Sequence, residues 1–414
     1  MERHPSKEII ASYSDVLSGK RVALCITGSV AAYLAPEIAR TIMRYGAEVY
    51  PVMTEEATEL ISPSIMEWAT GNKPIVRLTG GMEHIKLAGE HEGRVDAIVV
   101  APATANTISK AAHGIADNAV TTLLSVALGS GTPILIAPAM HEPMLRNRAV
   151  SDSIKTLGEM GVTFIEPRVE EGRAKVALPE SICNHLVRLL HPKKLPSGSH
   201  VIVAAGATVE YIDPIRVVTN LSSGKLGLSI ALESFRRGGD VTLLIGHSKI
   251  EPPYYINTRN VKTTQELREA LREEIEKKRP ILYFSTIAVA DYRPAKSFER
   301  KLDTRSHGRL SVEFVRNEKV LPMIKELSPK TVVVAFKAEY NVGRDELIAR
   351  ARELLQYADA VYASDVSKTD SAFGSETSSG VIVARDMDVV WVEKERKDVL
   401  ASRLLDVAQH LASL

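Results

Sequence analysis

The feature that most constrains the fold is a strand, helix, strand pattern that occurs twice in the chain. Residues 21–28, RVALCITG, form an apolar run that ends in glycine, and a segment with helical spacing and a second apolar run, AEVYPVMT, follow it. From residue 200 the order returns as HVIVAAGATVE, SSGKLGLSIALESFRRGG and DVTLLIGH. Unbroken apolar runs of this kind are typical of parallel strands that are covered on both faces. The repeat therefore predicts an α/β protein with two Rossmann-like, open parallel-sheet domains.

The two predicted domains are separated by a short segment whose composition interrupts helical structure. Residues 191–200, HPKKLPSGSH, bring two prolines, a glycine and two serines after a helical pattern that ends in LVRLL. Such residues favour turns and linkers. We predict a first domain at residues 1–190, a linker at 191–200 and a second domain at 201–414. At 45% hydrophobic residues, the 414-residue chain has enough apolar side chains for a core in each domain.

The charge and cysteine content exclude several classes of protein. Lys and Arg number 52 and Asp and Glu 51, so no surplus charge would draw the chain to nucleic acid or to an anionic membrane. Two cysteines, Cys25 and Cys183, lie in a strand-like run and a helical pattern and predict neither a disulfide framework nor a Cys-based zinc site. No stretch approaches the ~20 apolar residues of a membrane span, and residues 1–20 lack the apolar core of a signal peptide. We therefore expect a cytoplasmic protein, in a reducing compartment, with small-molecule partners.

The candidate binding residues follow the apolar runs. Open parallel sheets bind ligands beyond the carboxyl ends of their strands. The turn TGSVAAY, residues 27–33, places small residues where helical backbone N–H groups can face a phosphate. Small residues also occur at such turns for packing alone, and this one turn does not separate the two interpretations. Further candidate loops follow the runs DAIVVAPAT, TPILIAPAM, ILYFSTIAVADY, TVVVAFKAE and AVYASDV.

Seven segments of the first half occur in the order seen in one family of flavoproteins. They are TGSVAAY, VMTEEA, ISPSI, MEHIKLA, APATAN, GIADNAVTT and PAMHEPM. Together they resemble the homo-oligomeric flavin-containing cysteine decarboxylases. The resemblance implies a flavodoxin-like domain that binds FMN. It places the FMN contacts on Gly28, Ser29, Thr54, Ser62, Ala103, Thr104 and Asn106.

The same resemblance places the active-site histidine of the family at His84. In this chemistry the flavin oxidises a thiol to a thioaldehyde, which accepts the electrons that remain when carbon dioxide leaves. A histidine beside that site can move protons at neutral pH. The alternative interpretation is a surface or capping histidine between Glu83 and Lys86.

Substrate contacts at Ala139, Met140 and His141 are implied as well, and here the sequence departs from the family. The family usually has asparagine where this chain has His141, although histidine can still donate a hydrogen bond. The family also has a flexible flap with a proton-donating cysteine, and residues 170–180, EEGRAKVALPE, contain no cysteine. We predict Lys175 as a flap contact, and the proton donor stays unassigned.

In the second half, residues 204–227, AAGATVEYIDPIRVVTNLSSGKLG, resemble the signature of phosphopantothenate–cysteine ligases. The glycines and serines free backbone amides for a phosphate, and a lysine adds a charge at the start of a helix. The stretch before SSGK lacks the glycine spacing of a Walker A loop, so a P-loop ATPase is a poor match. The resemblance implies that Asn220 is a catalytic donor to the acyl nucleotide. It places substrate contacts on Ser222, Ser223, Gly224 and Lys225.

Segments further along the chain continue this second resemblance: TIAVADYRP, ERKLD, FVRNEKV, AFKAE, ASDVS and FGSE. They imply that Lys301 is the family's catalytic lysine and that Asp291 lies near the ribose or near a Mg²⁺ ion and the phosphates. An exposed, solubilising lysine is the alternative interpretation of Lys301. The chain has Glu318 where the family usually has proline. The implied nucleotide contacts are Gly206, Ala207, Thr208, Ala288, Asp291, Lys301 and Phe336.

Both resemblances in one chain, in the order usual for the family, predict a bifunctional enzyme of coenzyme A biosynthesis. The ligase half would transfer a nucleotidyl group from CTP or ATP to 4'-phosphopantothenate, after which the amine of cysteine displaces the nucleotide. The other half would decarboxylate the product, 4'-phosphopantothenoylcysteine, to 4'-phosphopantetheine with FMN. The preference for CTP is inferred from bifunctional relatives.

Two other functions are kept as alternatives. His141 and the missing flap cysteine favour a flavin-binding regulatory subunit with impaired decarboxylase chemistry, whereas His84, Asn220 and Lys301 oppose it. A flavin prenyltransferase relative in the first half is opposed by the attached ligase half. The resemblance further implies a homo-oligomer as large as a dodecamer, assembled through trimers of the flavin domain and dimers of the ligase domain.

Overall fold

The computed structural model describes residues 4–170, 173–303 and 309–413, and the chain divides into two compact units, residues 1–193 and 194–414. The predicted linker, residues 191–200, spans this division, and its last residue, His200, is the first residue of a strand. The domain bounds drawn from the sequence stay a prediction. In the described ranges, every helix is too short or too polar to span a bilayer.

The first unit is built around a parallel sheet. Its strands are β1 (Arg21–Ile26), β2 (Glu48–Met53), β3 (Ala97–Ala103), β4 (Ile134–Pro138), β5 (Thr163–Phe164), β6 (Arg168–Glu170) and β7 (Arg173–Lys175). Its helices are α1 (Ala35–Arg44), α2 (Glu55–Leu60), α3 (Pro63–Thr70), α4 (Glu83–Ala88), α5 (Ala105–Ala112), α6 (Ala119–Ser130), α7 (Glu142–Leu145), α8 (Arg148–Glu159) and α9 (Pro179–Leu190), with 3₁₀ turns at Pro5–Ile9 and Val30–Leu34. Among the described residues, five strands pair in parallel in the order β2-β1-β3-β4-β5, and β6 and β7 form an antiparallel hairpin.

The central strand β1 explains why the first apolar run does not alternate with polar residues. Val22, Leu24 and Ile26 pack into the core on one face of the sheet. Ala23 and Cys25 pack into the core on the other face. Because both faces are covered, a polar side chain at any of these positions would be buried at a cost unless it found a partner.

The second unit contains a larger sheet. Its strands are β8 (His200–Ala205), β9 (Val209–Tyr211), β10 (Val217–Thr219), β11 (Asp240–Ile245), β12 (Asn257–Asn260), β13 (Leu282–Ser285), β14 (Tyr292–Pro294), β15 (Phe314–Arg316), β16 (Val332–Glu339), β17 (Ala360–Asp365), β18 (Thr377–Ala384) and β19 (Val390–Arg396). Its helices are α10 (Lys225–Arg236), α11 (Thr264–Lys278), α12 (Val320–Leu327), α13 (Arg344–Leu354) and α14 (Lys397–Leu411). In the described part of this unit, eight strands pair in the order β12-β11-β8-β13-β16-β17-β18-β19, and β9–β10 and β14–β15 are separate antiparallel pairs.

The predicted α/β fold with open parallel sheets is confirmed, with one departure at the edge of the second sheet. From β12 through β17 every neighbouring pair is parallel. The last two strands, β18 and β19, are antiparallel to their neighbours. Their connection, residues 385–389, is too short for the crossover that a parallel pair requires.

Each unit collects its candidate loops at one edge of its sheet. In the first unit β1 lies between β2 and β3, and in the second β8 lies between β11 and β13. The carboxyl ends of parallel strands meet at the same edge, and ligands bind in the crevice beside the central strand where the connections diverge. The turns at residues 27–29 and 206–208, which follow β1 and β8, therefore lie at the expected ligand-binding edges.

Candidate active sites

In the first unit, hydrogen bonds join the loops that follow β1, β2 and β3. The hydroxyl of Thr27 donates to the carbonyl of Pro102 over 2.8 Å and accepts from the backbone N–H of Thr104 over 3.0 Å. The backbone N–H of Thr54 donates to the carbonyl of Ile26 over 3.0 Å. Three of the segments predicted to contact FMN are thus held together at the sheet edge.

The hydroxyl groups predicted to contact FMN have a structural task of their own. Each begins a helix or 3₁₀ turn and accepts a hydrogen bond from a backbone N–H of the first turn. A hydroxyl that accepts in this way keeps its proton for a second partner. The caps therefore fix these oxygens in place, and the hydroxyl of Thr104 also shares a hydrogen bond of 3.2 Å with the hydroxyl of Thr107. The capping residues are Ser29, Thr54, Ser62 and Thr104, which accept from Ala31, Ala57, Ser64 and Thr107 respectively.

Gly28 allows two of these segments to approach closely. A Cβ at Gly28 would lie 2.7 Å from the Cβ of Glu56 in α2, nearer than side-chain carbons come in proteins. On the other side of the edge, the backbone N–H of Ala139 donates to the carbonyl of Ala103 over 2.9 Å. The loop after β4 is thereby tied to the loop after β3.

The remaining predicted contacts of this unit differ in exposure. Asn106 and His141 are exposed, whereas Met140 is partly buried against the core. His141 precedes α7 and its ring does not cap that helix. Lys175 ends the hairpin strand β7, opposite Arg168, and residues 171–172 of the predicted flap lie outside the described part of the chain.

His84 carries an unsatisfied polar atom. It is half-buried in the first turn of α4, and its ring Nδ1 is buried with no hydrogen-bond partner among the described residues. The neighbouring carboxylate of Glu83 is occupied, because it accepts from both the backbone and the side chain of Thr79. These hydrogen bonds lower the pKa of Glu83 to about 2. A buried polar atom without a partner is costly, so the Nδ1 of His84 is a candidate ligand contact.

Neither cysteine takes the place of a flap cysteine. Cys25 lies inside β1 and Cys183 lies inside α9, and both side chains are buried. Burial raises the pKa of the Cys25 thiol well above its usual range, which keeps that thiol protonated and unreactive. The described residues give no replacement for the proton donor, which stays unassigned.

In the second unit, a cavity of about 860 Å³ opens at the carboxyl edge of the sheet. Its volume is in the range of small-molecule and cofactor sites. Five segments at the ends of strands and the starts of helices contribute to its walls, at residues 219–227, 285–291, 317–322, 336–338 and 371–374. Of the residues predicted from the sequence, those in its lining are Asn220, Ser222, Ser223, Gly224, Lys225, Ala288, Asp291 and Phe336.

The start of α10 forms one wall of this cavity. Gly224 begins the helix with a φ of +77°, a conformation that other residues rarely adopt. A Cβ at Gly227 would lie 2.4 Å from both the Cβ of Ala205 and the hydroxyl of Thr286, so the helix packs directly on the ends of β8 and β13. The amide of Asn220 donates to the carbonyl of Val289 over 3.3 Å. Helix N–H groups and the Asn220 amide therefore face the same space.

Three residues predicted to contact the nucleotide lie beneath the cavity rather than in its lining. Thr208 donates its backbone N–H to the carbonyl of Ala288, and Ala288 donates its own to the carbonyl of Gly206, over 3.1 and 2.8 Å. The Thr208 hydroxyl accepts from the backbone N–H of Ala290 over 2.8 Å. Ala207 is fully buried in the same turn. Gly206, Ala207 and Thr208 thus hold the loop that carries Ala288.

Two predicted residues of the lining, Asp291 and Phe336, already have partners. Asp291 forms an ion pair with Lys319 over 2.6 Å. Phe336 and Tyr362 pack edge to face with their ring centroids 6.0 Å apart. In the ranges that the structure describes, no cluster of three or more His, Cys, Asp or Glu side chains could hold a metal ion by itself. Asp291 stays a candidate carboxylate ligand, and Glu318, the other carboxylate of the described lining, forms an ion pair with Arg268.

Lys301 is not brought to this cavity. It is exposed and does not belong to the cavity lining, and residues 304–308, which follow it, are outside the described ranges. Its neighbour Leu302 is anchored, because the backbone N–H of Leu302 donates to Asp213 over 3.2 Å and its carbonyl accepts from Arg216 over 3.3 Å. The catalytic role of Lys301 stays a prediction.

Sequence reasoning missed several lining residues. Asn317 anchors the loop above the cavity by donating to the carbonyl of Ala290 over 2.9 Å. Asn317 and Lys319 belong to FVRNEKV, so the resemblance contained a signal for them. Lys337 lies next to Phe336 in AFKAE and had the same signal. Lys397 lies in the charged stretch EKERKDVL, which resembles an ordinary solvated surface.

Comparison with protein families divides the chain as the fold does. The family described as Flavoprotein matches residues 10–191. The family described as DNA/pantothenate metabolism flavoprotein C-terminal domain matches residues 196–411, which is more than half of the chain.

Curated relatives match both parts together. A coenzyme A biosynthesis bifunctional protein CoaBC of Thermococcus kodakarensis is 44% identical over 403 residues, 97% of this chain and 98% of the relative. The CoaBC of Methanocaldococcus jannaschii is 35% identical, covering 99% and 98%, and that of Escherichia coli K12 is 30% identical, covering 94% and 97%. The chain belongs to the family of bifunctional coenzyme A biosynthesis proteins, CoaBC. The predicted pairing of a flavoprotein part with a ligase part is confirmed, and the regulatory-subunit alternative gains no support.

Solved structures resemble the two parts separately. The C-terminal domain of a CoaBC protein is 26% identical, with a TM-score of 0.43, and covers 53% of this chain and 98% of its own. The FMN-dependent cysteine decarboxylase SpaF is 29% identical, with a TM-score of 0.35, and covers 40% of this chain and 97% of its own. The matches in sequence, rather than these partial superpositions, establish the family.

Proposed function

We propose that the second unit ligates cysteine to 4'-phosphopantothenate through an acyl-nucleotidylate intermediate, with CTP converted to CMP and pyrophosphate. We propose further that the first unit decarboxylates 4'-phosphopantothenoylcysteine to 4'-phosphopantetheine with FMN. Membership of the CoaBC family supports both activities. The observation that carries the ligase assignment is the cavity of about 860 Å³ whose lining combines Asn220, the turn 222–225 and Asp291.

The ligase chemistry requires groups that offset negative charge. A carboxylate is a poor electrophile, so it must first be activated by the nucleotidyl group, and both transfer steps build negative charge on oxygen. Asn220 keeps one amide N–H free beside its bond to Val289 and can donate it to the acyl oxygen. The backbone N–H groups of the turn 222–225 and the ammonium of Lys225 would bind a substrate phosphate. Lys301 would act at the α-phosphate if its segment moves to the cavity.

The nucleotide would lie against the loop of Ala288 with its base beside Phe336. Gly206, Ala207 and Thr208 would contribute by fixing that loop. Asp291 would hold Mg²⁺, which would supply positive charge beside the phosphates of the nucleotide. Asp291 must leave Lys319 for this, and the released ammonium could then pair with a phosphate.

The residues of the first unit fit FMN. The capping hydroxyls of Ser29, Thr54 and Ser62 each retain a proton to donate, and that of Thr104 does so when Thr107 is the donor in their shared hydrogen bond. Gly28 lets α2 approach the turn closely. When bound, FMN supplies the oxidation of the substrate thiol and the later return of the electrons. His84 would hold or move a proton at Nδ1, which has no other partner in the described structure. Ala139, Met140, His141 and Lys175 would bind the substrate.

The proposal is tested by measuring the two half-reactions separately on the purified chain. Pyrophosphate release with 4'-phosphopantothenate and either CTP or ATP reports the first ligase step and names the nucleotide. Supplied 4'-phosphopantothenoylcysteine reports decarboxylation alone. Purified protein without FMN absorbance that also fails to take up added FMN would contradict the assignment of the first unit. Gel filtration with light scattering tests the implied homo-oligomer, and fractionation of the source cells tests the cytoplasmic location.

A further inference from the structure

The cavity of the second unit contains more positive than negative charge. Of the described residues in its lining, four are lysines. Lys397 has no carboxylate within ion-pair distance among the described residues, and its ammonium donates to the carbonyl of Ser375. The other three are paired, Lys225 with Glu376, Lys319 with Asp291 and Lys337 with Glu339.

Lys225 and Lys397 are held against the same short loop. The ammonium of Lys225 donates to the carbonyl of Gly374 over 2.9 Å and forms an ion pair with Glu376. The ammonium of Lys397 donates to the residue between them, Ser375, and its backbone N–H donates to the carbonyl of Glu376 over 3.1 Å. Three consecutive residues therefore bring two ammonium groups to one wall of the cavity.

The carboxylate of Glu376 forms an ion pair with Lys225 and acts on Lys397 through its charge alone. Burial, together with the charge of Lys225, lowers the pKa of Lys397, whereas Lys225 holds the pKa of Glu376 below its usual range. The side chain of Glu376 is 82% exposed. Exposed ion pairs contribute little to stability, so Glu376 can leave Lys225 at small cost.

We propose that Lys225 and Lys397 together form a binding site for a substrate phosphate group, and that Glu376 is the resident carboxylate which this phosphate displaces. A phosphate has more negative charge than a carboxylate and three acceptor oxygens, so it can engage both ammonium groups at once. Lys397 is also the first residue of α14, a helix of 15 residues whose N-terminus favours an anion. The inference rests on the proposed function, because the phosphate carriers of this cavity are the proposed substrates.

The phosphate can come from 4'-phosphopantothenate or from the nucleotide, and titration calorimetry separates these sources. The full chain is titrated in Mg²⁺ buffer with 4'-phosphopantothenate and with CTP, and in parallel with pantothenate and cytidine, which lack the phosphates. The variants are Lys397→Gln and Glu376→Gln. The matched control is Lys277→Gln, which removes an exposed lysine of α11 that does not line the cavity.

The two variants should change affinity in opposite directions. Loss of a charge-assisted contact in Lys397→Gln should weaken binding of the phosphate carrier about tenfold or more. Loss of the competing carboxylate in Glu376→Gln should tighten the same binding by about threefold. Lys277→Gln should match the unaltered protein. If Lys397→Gln loses affinity for 4'-phosphopantothenate alone, the site binds the phosphate of that acid. If it loses affinity for CTP alone, the site binds a phosphate of the nucleotide.

Two results would overturn the inference. One is unchanged affinity for both carriers in Lys397→Gln, and the other is a loss of affinity in Glu376→Gln, which would mean that both residues only support the loop. Lys397→Arg separates charge from structure, because it should retain affinity within about threefold. If neither carrier binds the unaltered protein, the proposed function itself fails; if both bind and Lys397→Gln has no effect, only the present inference fails.

Discussion

Each candidate site lies at the carboxyl ends of the parallel strands of its own sheet, yet the two sites are built from different kinds of residue. The residues predicted for the site of the first unit offer neutral hydroxyl groups, backbone N–H groups and two histidines, His84 and His141. The cavity of the second unit offers an amide, Asn220, and four lysines among its described lining residues. The difference follows the chemistry, because a bound flavin carries its own reactivity and needs positioning, whereas transfer of a nucleotidyl group builds negative charge that the protein must offset.

The two sites also differ in how their parts are stabilised. In the first unit the hydroxyl groups predicted to contact FMN are helix caps, so the residues proposed to bind the ligand also maintain the fold. In the second unit the cations pair with carboxylates such as Asp291 and Glu376, which a substrate can displace. The first site is therefore largely formed in advance, and the second should rearrange when substrates bind.

The largest expected effect separates the two sites through His84. Replacing His84 with Gln removes the titratable ring nitrogen, and decarboxylation of supplied 4'-phosphopantothenoylcysteine should fall about 10²- to 10⁴-fold. Pyrophosphate release by the ligase should not change. The control is His113→Gln, at an exposed histidine of the same unit. Equal decarboxylation rates in the two variants would remove His84 from the site.

The reciprocal test is Asn220→Ala. The variant lacks the amide donor that faces the cavity, and ligation should fall about 10²- to 10³-fold, as when an oxyanion donor is removed. Decarboxylation of supplied 4'-phosphopantothenoylcysteine should stay at the level of the unaltered chain. Normal ligation in this variant would contradict the role of Asn220. Loss of both activities together would contradict the independence of the two sites.

A smaller effect is expected on the free energy of unfolding. Two glycine-to-alanine substitutions, one in each unit, should change it in opposite directions. Gly227→Ala places a Cβ 2.4 Å from Ala205 and should destabilise the second unit by about 1–3 kcal/mol through overpacking. Gly158 lies in α8 with no atom within 4 Å of an added Cβ. Gly158→Ala should therefore stabilise the first unit by roughly 0.5–1 kcal/mol through helix propensity.

Urea unfolding followed by fluorescence and circular dichroism measures both free energies of unfolding. The ligase should also weaken in Gly227→Ala, because a shifted α10 moves the turn 222–225. A neutral result for Gly227→Ala would mean that α10 can move away without cost.

The smallest effect concerns pH and lies beside His84. The pKa of Glu83 is about 2 in the folded chain, below the value of about 4.3 for an unfolded chain. Because the folded pKa is depressed, the stability that Glu83 contributes is present above pH ~4.3 and is lost as the pH falls towards 2. Between these values the melting temperature of the unaltered protein should fall more than that of Glu83→Gln. Parallel curves would show that the hydrogen bonds from Thr79 do not persist in solution.

Much of the fold could be predicted because buried parallel strands leave a clear pattern. β1 and β8 are apolar on both faces, and the sequence shows this without any alternation to interpret. The antiparallel pair β18–β19 was not predicted, because its direction depends on a short connection at residues 385–389 rather than on the composition of either strand. The strand register likewise comes only from the three-dimensional structure.

The candidate site was predictable only where a motif carried it. Asn220 and Ser222 lie in a long signature, and the structure brings them to one cavity. Lys397 is a lysine at a helix start after a charged stretch, and only the fold shows that it faces Lys225 across the loop 374–376. Thr27 was passed over because a threonine in a small-residue turn does not reveal that it bonds to both Pro102 and Thr104.

The most direct test of two chemistries in one chain is the complete reaction on the purified, unaltered protein. It is supplied with 4'-phosphopantothenate, cysteine, Mg²⁺ and either CTP or ATP, and mass spectrometry follows the carboxylate of cysteine. If both sites act in sequence, 4'-phosphopantetheine should form, and it should form faster with CTP than with ATP. Accumulation of 4'-phosphopantothenoylcysteine would contradict the decarboxylase of the first unit, and the absence of either product would contradict the ligase of the second.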